Sequence, residues 1–195
     1  MSMWVIFSIL LVAAYLLGSV CAAIPICQLF KLPDPRSMGS ANPGATNVMR
    51  LGGKLPAALT FLVDAFKAAP PILAAVALQL HPAMISMVAF AAILGHVYPL
   101  YFRFAGGKGV ATAFGILLVL DWHLFMAAGL SWMAVFAVVR ISAVASLMAM
   151  VLAAPVASFY YAPQFFLGVS LIGLLILWRH KQNIRDLVLG VERGF

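Results

Sequence analysis

Residues Met3–Ile26 read MWVIFSILLVAAYLLGSVCAAIPI, 24 residues without a charge. A helix rises about 1.5 Å per residue and a bilayer's hydrocarbon core is about 30 Å thick, so about 20 apolar residues cross it. The stretch is therefore expected to be a membrane helix. No basic residue precedes it and no small-residue cleavage site is evident, which separates it from a signal peptide.

Further apolar runs follow at Pro56–Leu80, Ala83–Phe102, Val110–Leu120, Leu124–Val139, Ser142–Phe159 and Phe165–Trp178. Val110–Leu120 is short for a span. The reading is an all-α integral membrane protein of about seven transmembrane helices, one polytopic domain over residues 1–195. Residues 31–55 form a polar loop rich in Gly, Pro and Asn. Arg103–Gly109 is a tight basic turn, and Arg179–Phe195 a charged surface tail.

Twelve Lys and Arg residues set the topology: Lys31, Arg36, Arg50, Lys54, Lys67, Arg103, Lys108, Arg140, Arg179, Lys181, Arg185 and Arg193. The turnarounds at Leu80–Pro82, Asp121–His123 and Tyr161–Gln164 hold none. Basic loops resist translocation and stay cytoplasmic. The basic groups are thus expected on the cytoplasmic face of the membrane, with the C-terminus inside and the N-terminus outside. Cations and glycine loops gathered at one face suit the handling of anions there.

Composition excludes a soluble domain. Charged residues are 9% of the chain, against roughly 25% in soluble proteins. The net charge of +7 reads as positive-inside topology and anionic substrates or headgroups, not nucleic acid. Cys21 and Cys27 have no metal-ligand spacing, and no metal or other cofactor is expected.

Two glycine-bearing stretches carry the chemistry. Gly39-Ser40-Ala41-Asn42-Pro43-Gly44-Ala45-Thr46-Asn47 precedes Arg50. Small residues let backbone N–H groups approach a ligand closely. Ser40, Asn42, Thr46 and Asn47 add short polar groups, and Arg50 can grip a phosphate or carboxylate with two donors. Gly106-Gly107-Lys108-Gly109, with Thr112 after it, frees backbone to wrap an oxyanion around a point charge. It lacks the spacing of a Walker A loop. Alone, the first stretch reads as a tight loop capped by Ser and Asn, and the second could equally be a short inter-helix turn.

Asp64 and Lys67 share a helix face. Charges within a span are paired or functional; a self-satisfied pair is favoured over direct chemistry, and Lys67 is also a candidate for substrate contact. His96 lies near the end of the third span, and His180 and Asn183 are three apart at the start of the tail. His81 and His123 fall on the opposite face. Ser142 and Ser146 open the sixth run, but no nucleophile elbow or triad accompanies them.

In order and spacing these pieces resemble the bacterial acyl-phosphate-dependent glycerol-3-phosphate acyltransferases, the PlsY family. The pieces are Asp34-Pro35-Arg36 with Gly39–Asn47 and Arg50; Asp64 with Lys67; Gly95-His96 with Pro99 and Phe102; Gly106–Thr112; and Arg179-His180 with Asn183-Ile184. The resemblance implies transfer of a fatty acyl group from acyl phosphate to the 1-hydroxyl of glycerol 3-phosphate. It places Ser40, Arg50, Lys108, His180 and Asn183 at substrate or catalytic positions, and His96 with glycines 106, 107 and 109 in a second motif. Ser142 is the candidate for a family serine that Ala143 replaces. Ala41, Ala68 and Ala105 also depart from the usual pattern.

Acyl phosphate is already an activated anhydride, so direct transfer without an acyl-enzyme is expected. A small-anion transporter is the rival reading. It calls for charge or broken helices near the midplane, whereas these polar motifs cluster at one face.

Overall fold

The computed structural model describes residues 2–192 and 194. Arg193 and the final residue of the tail lie outside them.

The described residues contain helices and no strand. Ser2 starts α1 (Met3–Gly18) by accepting the Val5 N–H. The chain breaks at residues 19–22 and resumes as α2 (Ala23–Leu29). The expected loop at 31–55 is not wholly irregular, because it holds α3 (Ala45–Gly52). Gly53, at φ 80°, separates α3 from α4 (Lys54–Phe66). Pro70 and Pro71 open α5 (Ala69–Ala77), where missing N–H groups do no harm.

Gln79, at φ 52°, turns the chain back, and Pro82 begins α6 (Pro82–Val97). Pro99 ends that helix, since the residue before proline is pushed out of the helical region. After the glycine loop comes α7 (Val110–Leu120). Asp121 caps α8 (Trp122–Val139) by accepting the His123 N–H at 2.8 Å. Arg140, at φ 60°, stops it.

The sixth run is three pieces: α9 (Ser142–Leu147), a π-helical turn at Met148–Ala153, and α10 (Ala154–Tyr161). Pro155 lacks the N–H that would bond Val151 O, and the wider turn absorbs that loss. A 3₁₀ turn at Pro163–Phe165 leads to α11 (Phe166–Arg179), which bends by 55° into α12 (Lys181–Val188).

All seven expected apolar runs are therefore helical. Among the described residues, five stretches are long and apolar enough to cross a bilayer, and the bent α11–α12 pair can count as a sixth. The difference lies in α7. Its 11 residues rise only about 16 Å, because the glycine loop fixes one end and Asp121 the other.

The helices gather into two compact units, Met1–Ile116 and Leu117–Phe195, with the boundary inside α7. In the first unit α1 lies against α6. A Cβ on Gly18 would collide with Ala92 O, and one on Gly95 with Tyr15 O. In the second unit α8, the π-turn, α10 and α11 pack together. Leu130, Met133 and Val138 of α8 point outward. An apolar exterior of that size suits lipid rather than water.

Candidate active site

The loop before α3 is shaped from below. Val48 of α3 sits in a small core with Cys21, Ala23, Ile24, Cys27 and Ala57. That anchor buries the neighbouring Asn47, which is 1% exposed. Asn47 Nδ2 donates to Pro35 O and Met38 O, each at 2.9 Å, and its Oδ1 accepts the Ser40 N–H at 2.9 Å. Gly39, at φ 65°, fits because a Cβ there would strike Asn47 Oδ1. Asn47 therefore closes the loop on itself, and its amide faces inward instead of outward to a ligand.

Ala41 adopts φ 54°, a left-handed conformation that costs a residue with a Cβ about 1–2 kcal/mol. This explains why glycine suits the position. Ser40 stands exposed at the rim, and Asn42, Thr46 and Arg50 are half-buried. Upstream, Arg36 grips Asp34 through Nε at 3.0 Å and Nη2 at 2.7 Å. Those hydrogen bonds hold the Asp34 carboxyl below its ordinary range.

The glycine loop is likewise held from within. Gly107 N donates to His96 O at 3.2 Å. A Cβ on Gly106 would collide with His96 O, and one on Gly107 with His96 Nε2. Gly106, Gly107 and Gly109 are buried, and Lys108 is half-buried between them. Beyond the loop, Thr112 is buried and donates to Asp64 O at 2.9 Å.

Asp64 and Lys67 form the expected pair at 2.8 Å, both enclosed. The pair does more than satisfy itself. Lys67 Nζ also reaches Val20 O at 2.6 Å and His96 Nδ1 at 2.8 Å, and Asp64 Oδ1 accepts the Ala22 N–H at 3.3 Å. Val20 and Ala22 lie in the break between α1 and α2. Backbone groups freed within a membrane need internal partners, and the ion pair supplies them. Lys67 and Thr112, expected to touch substrate, thus have internal partners. The sequence offered only an indirect sign of this hub: Gly18-Ser19 and Pro25 interrupt an otherwise uniform apolar run.

In the second unit, His180 caps α11. Its Nδ1 lies 2.8 Å from Ile176 O. A carbonyl only accepts, so Nδ1 carries a proton and donates to it. Asn183, one turn on, donates to Glu192 Oε1 at 2.8 Å. Ser142 is half-buried at the first position of α9. Ser146 is buried and accepts Trp132 Nε1–H at 3.1 Å.

Known proteins resemble the chain over nearly its whole length. The family model described as glycerol-3-phosphate acyltransferase matches residues 8–190. A glycerol-3-phosphate acyltransferase of Idiomarina loihiensis is 46% identical over 187 residues, 96% of this chain and 95% of that protein. One from Methylobacillus flagellatus is 47% identical over 190 residues, 96% of each. The crystal structure of PlsY, an integral membrane glycerol 3-phosphate acyltransferase, in its glycerol 3-phosphate form superposes with TM-score 0.91. It is 36% identical and covers 97% of this chain and 95% of that one. The lysophosphatidic acid form gives 0.89 at 35% identity, with the same coverage. With its helical membrane fold and a match running nearly end to end, the chain belongs to the glycerol-3-phosphate acyltransferase family.

Proposed function

We propose that the protein transfers a fatty acyl group from acyl phosphate to the 1-hydroxyl of glycerol 3-phosphate, giving lysophosphatidic acid and inorganic phosphate. Family membership supports the acyltransferase activity and the glycerol 3-phosphate acceptor. One observation carries the donor assignment. Two small-residue loops are each held by a buried side chain, Asn47 beneath Ser40 and His96 beneath Gly107. Each carries a basic residue, Arg50 after the first and Lys108 within the second. That equipment suits two phosphates, one from each substrate.

The acyl–oxygen bond to phosphate breaks as the ester bond forms, and the departing phosphate can take the hydroxyl proton. Catalysis then consists of holding two anions close and orienting the hydroxyl at the carbonyl. Ser40, Asn42, Thr46, Arg50, Lys108 and the glycine-loop amides contact substrate in this reading. Asn47, Lys67, Thr112 and His96 hold those contacts in place. The resemblance assigns catalytic roles to His180, Asn183 and Ser142. The acyl tail runs among the apolar helices.

The basic loops and the active site face the cytoplasm, with the N-terminus outside, since the turns after α5, α7 and α10 lack Lys and Arg. An anion transporter would need the intramembrane charges for its cargo, but Asp64 and Lys67 are occupied within the protein. Purified protein given acyl phosphate and labelled glycerol 3-phosphate should form labelled lysophosphatidic acid. An acyl thioester of equal chain length should form none, and the reverse preference would overturn the donor assignment.

A further inference from the structure

Lys67 has three acceptors at hydrogen-bond distance: Val20 O at 2.6 Å, Asp64 Oδ1 at 2.8 Å and His96 Nδ1 at 2.8 Å. An ammonium has three protons and no lone pair, so the three contacts use it fully. Mending the break between α1 and α2 explains only part of this arrangement. That task needs a donor for Val20 O and an acceptor for the Ala22 N–H, which Lys67 and Asp64 provide. It does not require His96.

Because Lys67 donates, His96 Nδ1 must accept, and the ring proton sits on Nε2. The alternative is an imidazolium facing Asp64. Its nearest carboxylate oxygen is 3.7 Å from Nδ1, too far for a good hydrogen bond. It would also set an N–H against the ammonium. The Nε2 edge lies against Gly107, where a Cβ would meet Nε2, Cε1 and Cδ2 of the ring. His96 thus holds the loop twice, by its carbonyl on Gly107 N and by its ring. The other end of the loop returns to the same hub through Thr112 and Asp64 O at 2.9 Å. A Cβ on Gly115 would strike Ala65 O, so α7 lies close against α4 there.

We propose that Asp64, Lys67 and His96 form a positioning unit for the glycine loop. The unit locks His96 as its Nε2–H tautomer and strings Gly106–Gly109 between two anchors, so that Lys108 is presented in one geometry. The inference rests on the reading above that Lys108 holds a substrate phosphate. His96 is then a positioning residue that takes no proton from the acceptor hydroxyl, because Nδ1 is occupied by Lys67 and Nε2 already carries a proton.

The test uses ¹⁵N-histidine-labelled protein in lipid nanodiscs at pH 7, with the His96 signals assigned by their loss in His96→Gln. The expected spectrum has Nε2 protonated and Nδ1 bare. A proton on Nδ1, or on both nitrogens, overturns the proposal, whatever the enzyme turns over. In the Asp64→Asn/Lys67→Met double variant, which leaves no lone buried charge, the ring should lose its single tautomer and the Gly107 amide signal should move. An unmoved Gly107 signal also overturns it.

Kinetics supply a second arm. Misplacing a substrate contact by about 1 Å can cost roughly 10²-fold in rate, and the double variant should lose activity on that scale. His96→Gln, which restores a donor near Nε2, should keep more activity than His96→Asn, and equal loss in both would count against the tautomer. Should wild-type protein fail to use acyl phosphate, the donor assignment falls while the nitrogen spectrum still decides this inference.

Discussion

Asn47 Oδ1 accepts the backbone N–H of Ser40 at 2.9 Å, so a side chain rooted in α3 sets the shape of the loop that precedes it. The same amide donates to Pro35 O and Met38 O. Asn47→Asp would keep the acceptor but turn an oxygen toward two carbonyls. It should therefore be no better than Asn47→Ala. Each lost hydrogen bond is worth about 0.5–1.5 kcal/mol net. We expect both variants to fall at least tenfold in kcat/KM with a lowered melting temperature. Near-normal kinetics for Asn47→Asp would mean that the clasp does not shape the site.

Lys108→Ala and Arg50→Ala should each weaken phosphate binding. A charge-assisted hydrogen bond contributes about 1.5–3 kcal/mol, or about tenfold or more in affinity. The KM for one phosphate substrate should rise, or turnover should vanish, while the protein still folds. Steady-state kinetics over both substrates decide this, and unchanged constants for Lys108→Ala would remove it from the site.

Ala41 is held at φ 54°. Ala41→Gly relieves that strain but adds freedom to the unfolded chain. The net gain should be at most about 1 kcal/mol, seen as a small rise in melting temperature. Ala41→Val should do the opposite. A destabilised Ala41→Gly would contradict the loop conformation.

Gly107→Ala should abolish most activity, because the new methyl would meet the His96 ring. Gly129 in α8 is the control. A Cβ there meets nothing within 4 Å, and alanine favours helix over glycine by about 1 kcal/mol. Gly129→Ala should keep full activity and melt no lower than the parent. Equal activity in the two variants would argue against a tightly packed glycine loop.

The helical membrane architecture was legible because it rests on long apolar runs, and the turns after α5, α7 and α10 fall where proline, aspartate and missing basic residues mark them. The span count was less legible. Met3–Leu29 conceals a break at residues 19–22, and Val110–Leu120 is cut short by its neighbours instead of by its own composition. Among the candidate residues, type and position suggested ligand contact for Asn47, Lys67 and Thr112. Their inward hydrogen bonds depend on distant partners such as Met38 O, Val20 O and Asp64 O, which no local pattern encodes. The His180 contact was hidden for a different reason: Ile176 O is only one helical turn away, but residue type alone does not say which ring nitrogen meets it.

The most direct test of the account is a two-substrate initial-rate study with acyl phosphate and glycerol 3-phosphate. Direct transfer needs both substrates bound together, so double-reciprocal plots should intersect, with lysophosphatidic acid and phosphate formed in equal amounts. Parallel lines, or labelled acyl group retained on the protein after donor alone, would contradict it.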